Sequence, residues 1–304
     1  MPEKIATISQ FHRLLSLSEP LHPLVSLIRV SDMRFRYTPV WQRFFTGFYS
    51  ISMKRNVQAR VKYGRHYYDY DRGVMNFIAP RQIQSLEIEE INAINKECGI
   101  GYALQIHPDF LLGHRLASDI QEFGFFSYAV NEALHLSEKE EKNIEEIFLN
   151  IEEEYQHIDR HTEAIIISQI ELLLSYSNRF YERQFMTRKA VSHDILIRME
   201  QLLHNYFNRE KTLQNGLPTV EYLAGELGVT PHYLSDMLRS LTGQNAQQHI
   251  HEKLIEKAKE YLTASNLSVA EIAYRLGFEY PQSFHKLFKK KTSISPLQFR
   301  MSFN

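Results

Sequence analysis

The sequence predicts an α+β protein in two parts: a small β-barrel or sandwich with attached helices, then an all-α domain with two helix-turn-helix units. Three observations predict it. Short aromatic-rich runs with strand-like patterning recur over roughly the first hundred residues. From Asp109 the apolar residues space themselves as on helices. In the last third, one pattern of helix, tight turn and second helix occurs twice.

At 304 residues the chain is long enough for two domains, each with its own core, and 43% hydrophobic content excludes a disordered chain. The first thirty residues resist placement, apart from Leu24, Val25, Leu27, Ile28 and Val30, which read as a buried strand. Residues 34–37, then Phe44, Phe45, Phe48, Tyr49 and Ile51, suggest further strands. Val57, Ala59 and Val61 alternate as in a half-buried strand, and Gly64 and Arg72-Gly73 read as turns. Residues 74–78 and 102–106 complete the set. Tyr63, Tyr67, Tyr68 and Tyr70 either pack the sheet or line a ligand pocket with their hydroxyls, and the pattern does not choose.

Ser137 with Glu140 forms a capping box that opens a helix with Ile144, Ile147, Phe148, Ile151, Tyr155 and Ile158 on one face. A second helix begins near Thr162. Its Ile165, Ile166, Ile167, Ile170, Leu172, Leu173 and Leu174 point nearly all round, so it must be covered on every side, either by its own chain or by a second subunit. Residues 181–193 are polar and basic without a clear period, the expected linker. Ile195, Leu196, Met199, Leu202, Leu203, Tyr206 and Phe207 then form an amphipathic brace. The expected segments are therefore 1–135, a helical pair at 136–180, a linker at 181–194, and 195–304 with helix-turn-helix units at 219–242 and 268–292.

The second unit is the clearer. Ser268 and Glu271 make a capping box, and Val269, Ile272, Ala273 and Leu276 give one apolar face. Gly277 suits the left-handed stop, and Pro281 suits the first turn of the next helix. Phe284, Leu287 and Phe288 form the buried stripe of that helix. Thr219, Val220, Leu223, Ala224, Leu227 and Gly228 repeat the first half at a constant offset; Pro231, Leu234, Leu238 and Thr242 repeat the second half with the offset one residue larger. One extra residue in the second turn explains the slip and keeps both helices in phase.

Formal net charge is −1, so the whole chain gives no nucleic-acid signal. From Ile195 onward, 13 Lys and Arg face 10 Asp and Glu, which makes this part +3 and the remainder −4. On the second helix of each unit the outward residue types match base edges and phosphates. In the second unit Gln282, Ser283, His285 and Lys286 face the groove; Gln282 suits adenine and Lys286 suits guanine. Lys289, Lys290 and Arg300 read as phosphate contacts, and the helix N-termini at Thr219 and Ser268 offer backbone N–H groups to phosphate. In the first unit His232, Ser235, Asp236 and Arg239 project from the second helix, with Tyr233 near its start. Arg239 suits guanine or phosphate, while Asp236 can accept from cytosine yet repels a nearby phosphate. A helix over 245–264 joins the units.

The tail residues Ala273, Gly277, Phe278, Phe284, Lys286, Phe288, Lys289, Ser295, Pro296, Phe299 and Arg300 resemble the AraC-type family of bacterial transcription regulators. Two departures are Ser293, where glycine is usual, and Phe299, the less common aromatic at its place. The resemblance is specific over about the last third of the chain. It implies that His232, Ser235 and Asp236 stand at base-facing positions. It further implies a cupin-like sensory domain over 1–135, dimerisation through the helical pair, double-stranded DNA and RNA polymerase as partners, and an activator responding to a small-molecule effector. The alternative is a ligand-independent regulator whose N-terminal domain only dimerises or binds another protein.

An enzyme built on the barrel is not expected: the sequence offers no nucleophile–base pair, Gly-rich phosphate loop or ligand cluster. His66 stands without a paired histidine, and His107 and His114 are too isolated for a metal set, so no metal or cofactor is expected. Cys98, the single cysteine, fits a reducing cytoplasm as a small buried residue. No signal-peptide run and no stretch of about 20 apolar residues appear, so no membrane contact is expected.

Overall fold

The computed structural model describes residues 2–55, 62–63, 66–67, 73–96, 99–128, 132–187, 189–208 and 211–302. The expectations for Val57, Ala59, Val61, Gly64, Tyr68, Tyr70, Arg72 and Cys98 fall outside these residues. The chain divides into two compact units, 1–184 and 185–304.

In chain order the first unit holds β1 (Glu3–Ile5), α1 (Ile8–Leu14), β2 (Val25–Arg29), β3 (Phe44–Thr46) and β4 (Tyr49–Arg55). Then come β5 (Lys62–Tyr63), β6 (His66–Tyr67), β7 (Val74–Ile78), α2 (Ile88–Lys96), β8 (Ile100–Ile106), α3 (Leu116–Asp119), β9 (Leu134–His135), α4 (Glu138–Gln156) and α5 (Thr162–Thr187). Five strands form one antiparallel sheet in the order β2-β8-β4-β7-β9, and β1 pairs in parallel with β3. Among the described residues the large sheet is open, because β2 and β9 are its two edges and are not joined.

Alternate residues of the sheet face opposite ways. One face meets the long helices: Tyr102 stacks on Phe148 of α4, and Phe77 lies against Tyr181 of α5. Arg29 and Arg55 fix the same face by pairing with Glu152 and with Glu141 and Glu145 of α4. On the other face Ile28 and Ala103 enter a core with Ile5, Ile8, Leu15, Trp41, Phe44 and Phe48. His12 of α1 is buried there between the Ser18 carbonyl, 2.6 Å from Nδ1, and the Ser26 hydroxyl, 2.8 Å from Nε2. Burial holds His12 below the ordinary histidine pKa, against the opposing pull of the Ser18 carbonyl and Glu19.

Residues 34–37, expected as a strand, are irregular. The N–H groups of Arg34 and Arg36 go to the carbonyls of Leu15 and Leu14 at the end of α1, and the Arg36 carbonyl accepts from Trp41 Nε1. Their hydrogen bonds thus serve a helix terminus instead of a ladder. On α4 the expected buried face forms, with Ser137 and Glu140 as its capping box, but the helix ends at Gln156 and leaves Ile158 exposed beyond it. On α5, Ile166, Ile167, Ile170, Leu173 and Leu174 are buried, while Ile165 and Leu172 are 38% and 43% exposed. The expected linker at 181–194 is helical to Thr187 and again from Lys189; Tyr181, Gln184 and Phe185 are buried and continue a helical period that the polar residues between them mask.

The second unit contains α6 (Lys189–Asn208), α7 (Lys211–Asn215), α8 (Val220–Leu227), α9 (Pro231–Thr242) and α10 (Ala246–Ala264). It closes with α11 (Val269–Arg275), α12 (Pro281–Thr292) and α13 (Pro296–Met301). Helix α6 packs against α8 and α10. Among the described residues no helix is long and apolar enough to cross a membrane.

Candidate nucleic-acid interface

In the first helix-turn-helix, Thr219 caps α8 by accepting from the Tyr222 N–H at 3.1 Å, and Gly228 ends it in the left-handed conformation. Thr230 caps α9, whose first residue is Pro231. Leu223, Ala224 and Leu227 of α8 pack with Leu234, Met237 and Leu238 of α9 in the buried layer. That burial fixes which way the rest of α9 points. His232 and Arg239 are exposed, and Ser235 and Asp236 are half-buried. Arg239 reaches back to Asp236 at 3.0 Å, so the pair neutralises itself on the outer side of α9. Tyr233, expected to contact bases, is only 9% exposed, and its ring packs edge-on against Phe185 at 5.2 Å. It is a core residue: position 233 falls next to Leu234 on the inward side of the helix.

In the second unit Ser268 and Glu271 close a reciprocal capping box at the start of α11. The Ser268 N–H is bound to the Glu271 carboxylate at 2.7 Å. That hydrogen bonding holds Glu271 below the ordinary glutamate pKa. Gly277 turns the chain at φ 94°, and Pro281 opens α12. Phe284 and Phe288 are buried; Gln282, Ser283, His285, Lys286, Lys289 and Lys290 are all exposed, and none has a side-chain partner among the described residues. Sequence reasoning passed over two neighbours of this face: Lys291, visible in the triple-lysine run, and Tyr280, 62% exposed at the N-cap. Lysines in the last turn of α12 also suit its negative C-terminal end. Their field reaches His251 on α10, whose pKa lies below the ordinary histidine value through burial first and then through Lys291 and Lys290.

Ser293 occupies the left-handed C-cap of α12 at φ 68°, the same conformation Gly243 adopts after α9 at φ 78°. The local turn is thus the ordinary one, held by a residue for which it is strained.

Several contacts within residues 185–304 fix the two helix-turn-helix units against each other. Helix α10, 19 residues long, rises about 28 Å. The Thr212 hydroxyl of α7 donates to the Arg275 carbonyl at the end of α11 at 2.7 Å. The turns at Gly216 and Gly277 meet so closely that a Cβ at 277 would lie 2.7 Å from the Gly216 carbonyl carbon. Arg300, expected on phosphate, instead donates from Nε to the Leu262 carbonyl at 3.1 Å, and its Nη2 is buried. It ties α13 to the last turn of α10, where the orphan carbonyls of a helix need donors.

Among the described residues no group of three or more His, Cys, Asp or Glu side chains is placed to hold a metal. Residues 223–302 match the family model described as a helix-turn-helix domain. The chain is 33% identical over 101 residues to an uncharacterised HTH-type transcriptional regulator in the cgkA 5′ region of Pseudoalteromonas carrageenovora, covering 33% of this chain and 55% of that protein. It is 28% identical over 131 residues to the HTH-type transcriptional activator AarP of Providencia stuartii, covering 43% of this chain and 86% of that one. Among solved structures, the C-terminal domain of the two-component response regulator yesN from Fusobacterium nucleatum is 33% identical, covering 33% of this chain and 96% of that one, with a TM-score of 0.30. The chain spans about half the length of the first of these relatives. The second unit, over residues 223–302, thus carries a helix-turn-helix domain of the AraC type.

Proposed function

We propose that the protein is a sequence-specific DNA-binding transcription regulator, acting as an activator, and that each monomer reads two adjacent major-groove segments. One observation carries this reading: α9 and α12 are both 12 residues long, both start with proline, both bury an apolar stripe, and both expose a polar face within one packed unit. Successive major-groove faces of a duplex lie about 34 Å apart, within reach of an α10 of this length with a packed unit at each end. His232, Ser235, Asp236 and Arg239 read one segment; Gln282, Ser283, His285 and Lys286 read the next. Lys289, Lys290 and the N-terminus of α8 at Thr219 hold phosphates.

The N-terminal unit senses an effector and pairs two copies of the chain. The exposed Ile165 and Leu172, seven residues apart on α5, support a pairing seam. The activator reading follows AarP, whose name states that role, and RNA polymerase as partner follows the resemblance of the tail residues to AraC-type regulators. Selection of preferred duplexes from a random pool by the full chain tests the proposal. A two-part consensus supports it; recovery of the starting pool at physiological salt overturns it.

A further inference from the structure

The two faces of the large sheet differ in kind. Toward α4 and α5 the strands present Tyr49, Ile51, Met53, Met75, Phe77 and Leu104, all buried and apolar. By alternation and strand register, the opposite face carries Ser50, Ser52 and Lys54 of β4, Val74, Asn76 and Ile78 of β7, and Ala103 and Gln105 of β8, so polar groups stand among apolar ones there. At β2 and at Ala103 of β8 this face is filled, because Ile28 and Ala103 enter the Trp41 core and Ser26 is bound by His12.

The rest of the face is different. Gln105 is 1% exposed, and its Oε1 has no hydrogen-bond partner. Lys54 is intermediate in exposure, yet desolvation still lowers its pKa, and it has no ion pair among the described residues. The side chains of Ser50, Ser52 and Asn76 are likewise without partners among the described residues. A buried amide oxygen left unpaired is costly, and so is an uncompensated cation withdrawn from water. No Asp or Glu lies on this face of β4, β7 or β8 to balance Lys54.

We propose that this face binds a small polyhydroxylated carboxylate, with Lys54 on the carboxylate and Ser50, Ser52, Asn76 and Gln105 on the hydroxyls. The inference rests on the reading of the N-terminal unit as an effector sensor and names the chemistry of that effector. One cation matches one carboxylate, whereas a phosphate dianion would remain uncompensated. An alkyl chain would leave the serine, asparagine and glutamine groups unpaired. A neutral sugar would leave Lys54 unbalanced.

The experiment is calorimetric titration of the full chain with glucuronate and gluconate, beside glucose and hexanoate, each to about 10 mM. The expected result is binding of both hydroxy acids, with glucose and hexanoate at least about tenfold weaker. Lys54→Met weakens the acids by about tenfold or more and leaves the circular dichroism unchanged. Should that variant not fold, Gln105→Leu carries the same expectation of weaker binding. Neither acid binding, or glucose or hexanoate binding as tightly as the acids, overturns the proposal, as does full affinity in a folded Lys54→Met. Duplex preference is measured on the same samples. Retained preference without acid binding removes only this inference, whereas its absence from the unmodified chain removes the regulator reading itself.

Discussion

Replacing Gly277 with alanine isolates the contact that sets the two helix-turn-helix units against each other. Gly228 is its equivalent in the first unit and serves as the control. Both have positive φ, 94° and 71°. An alanine in the left-handed region costs about 1–2 kcal/mol, offset by about 0.4–1 kcal/mol because the unfolded chain also loses freedom. Gly228→Ala meets nothing within 4 Å, so its net cost is about 1 kcal/mol. At Gly277 the new Cβ would also lie 2.7 Å from the Gly216 carbon, 2.9 Å from its oxygen and 3.0 Å from the Leu217 nitrogen. Backbone cannot rotate away as a side chain can, so the turns must part, adding about 1–3 kcal/mol. Gly277→Ala should therefore cost about 2–4 kcal/mol, clearly more than its control. Urea denaturation followed by circular dichroism, with amide exchange locating the loss in α7 and α11, reads the difference. Equal costs, within about 0.5 kcal/mol, would refute the close approach as the reason for glycine at 277.

Four further outcomes are expected. Lys286→Ala relaxes base preference by about 1–3 kcal/mol at one operator position, measured by competition among single-base variants; uniform weakening on all sequences would assign Lys286 to phosphate instead. Lys290→Ala lowers the salt slope of binding by about one, and an unchanged slope would remove Lys290 from the phosphate contacts. Ser293→Gly relieves the left-handed C-cap and stabilises the second unit by about 0.5–1 kcal/mol in thermal melts, whereas a loss of stability would contradict the strain. His12 has a folded pKa below its unfolded value of about 6.5, so the unfolded chain binds the extra proton first. Stability is then complete above about pH 6.5 and falls below it, by at most about 1.4 kcal/mol per pH unit, until the lowered folded pKa is reached. A pH profile unchanged by His12→Gln would show that another group is responsible.

What was legible in the sequence was local. The capping boxes at Ser137 and Ser268, the prolines at 231 and 281, and the glycine stops at 228 and 277 each act within a few residues, so their spacing announces them. What was not legible depends on distant partners. The parallel pairing of β1 with β3 joins segments about forty residues apart and leaves no periodic trace. Tyr233 turns inward because Phe185 meets it there, and Arg300 turns toward α10 because Leu262 offers a carbonyl. Residues 34–37 have the composition of a strand, yet the end of α1 claims their hydrogen bonds. The polar face of the large sheet emerges only once register shows that Ser50, Asn76 and Gln105, scattered along the chain, share one side.

The central claim is that one chain places two recognition helices in neighbouring major grooves. Hydroxyl-radical footprinting of the full chain on a selected duplex tests it most directly. The expected pattern per monomer is two protected windows on the same face, about 10 base pairs apart, with Lys286→Ala weakening only the window read by α12. A single window, or protection that follows no sequence, would contradict it.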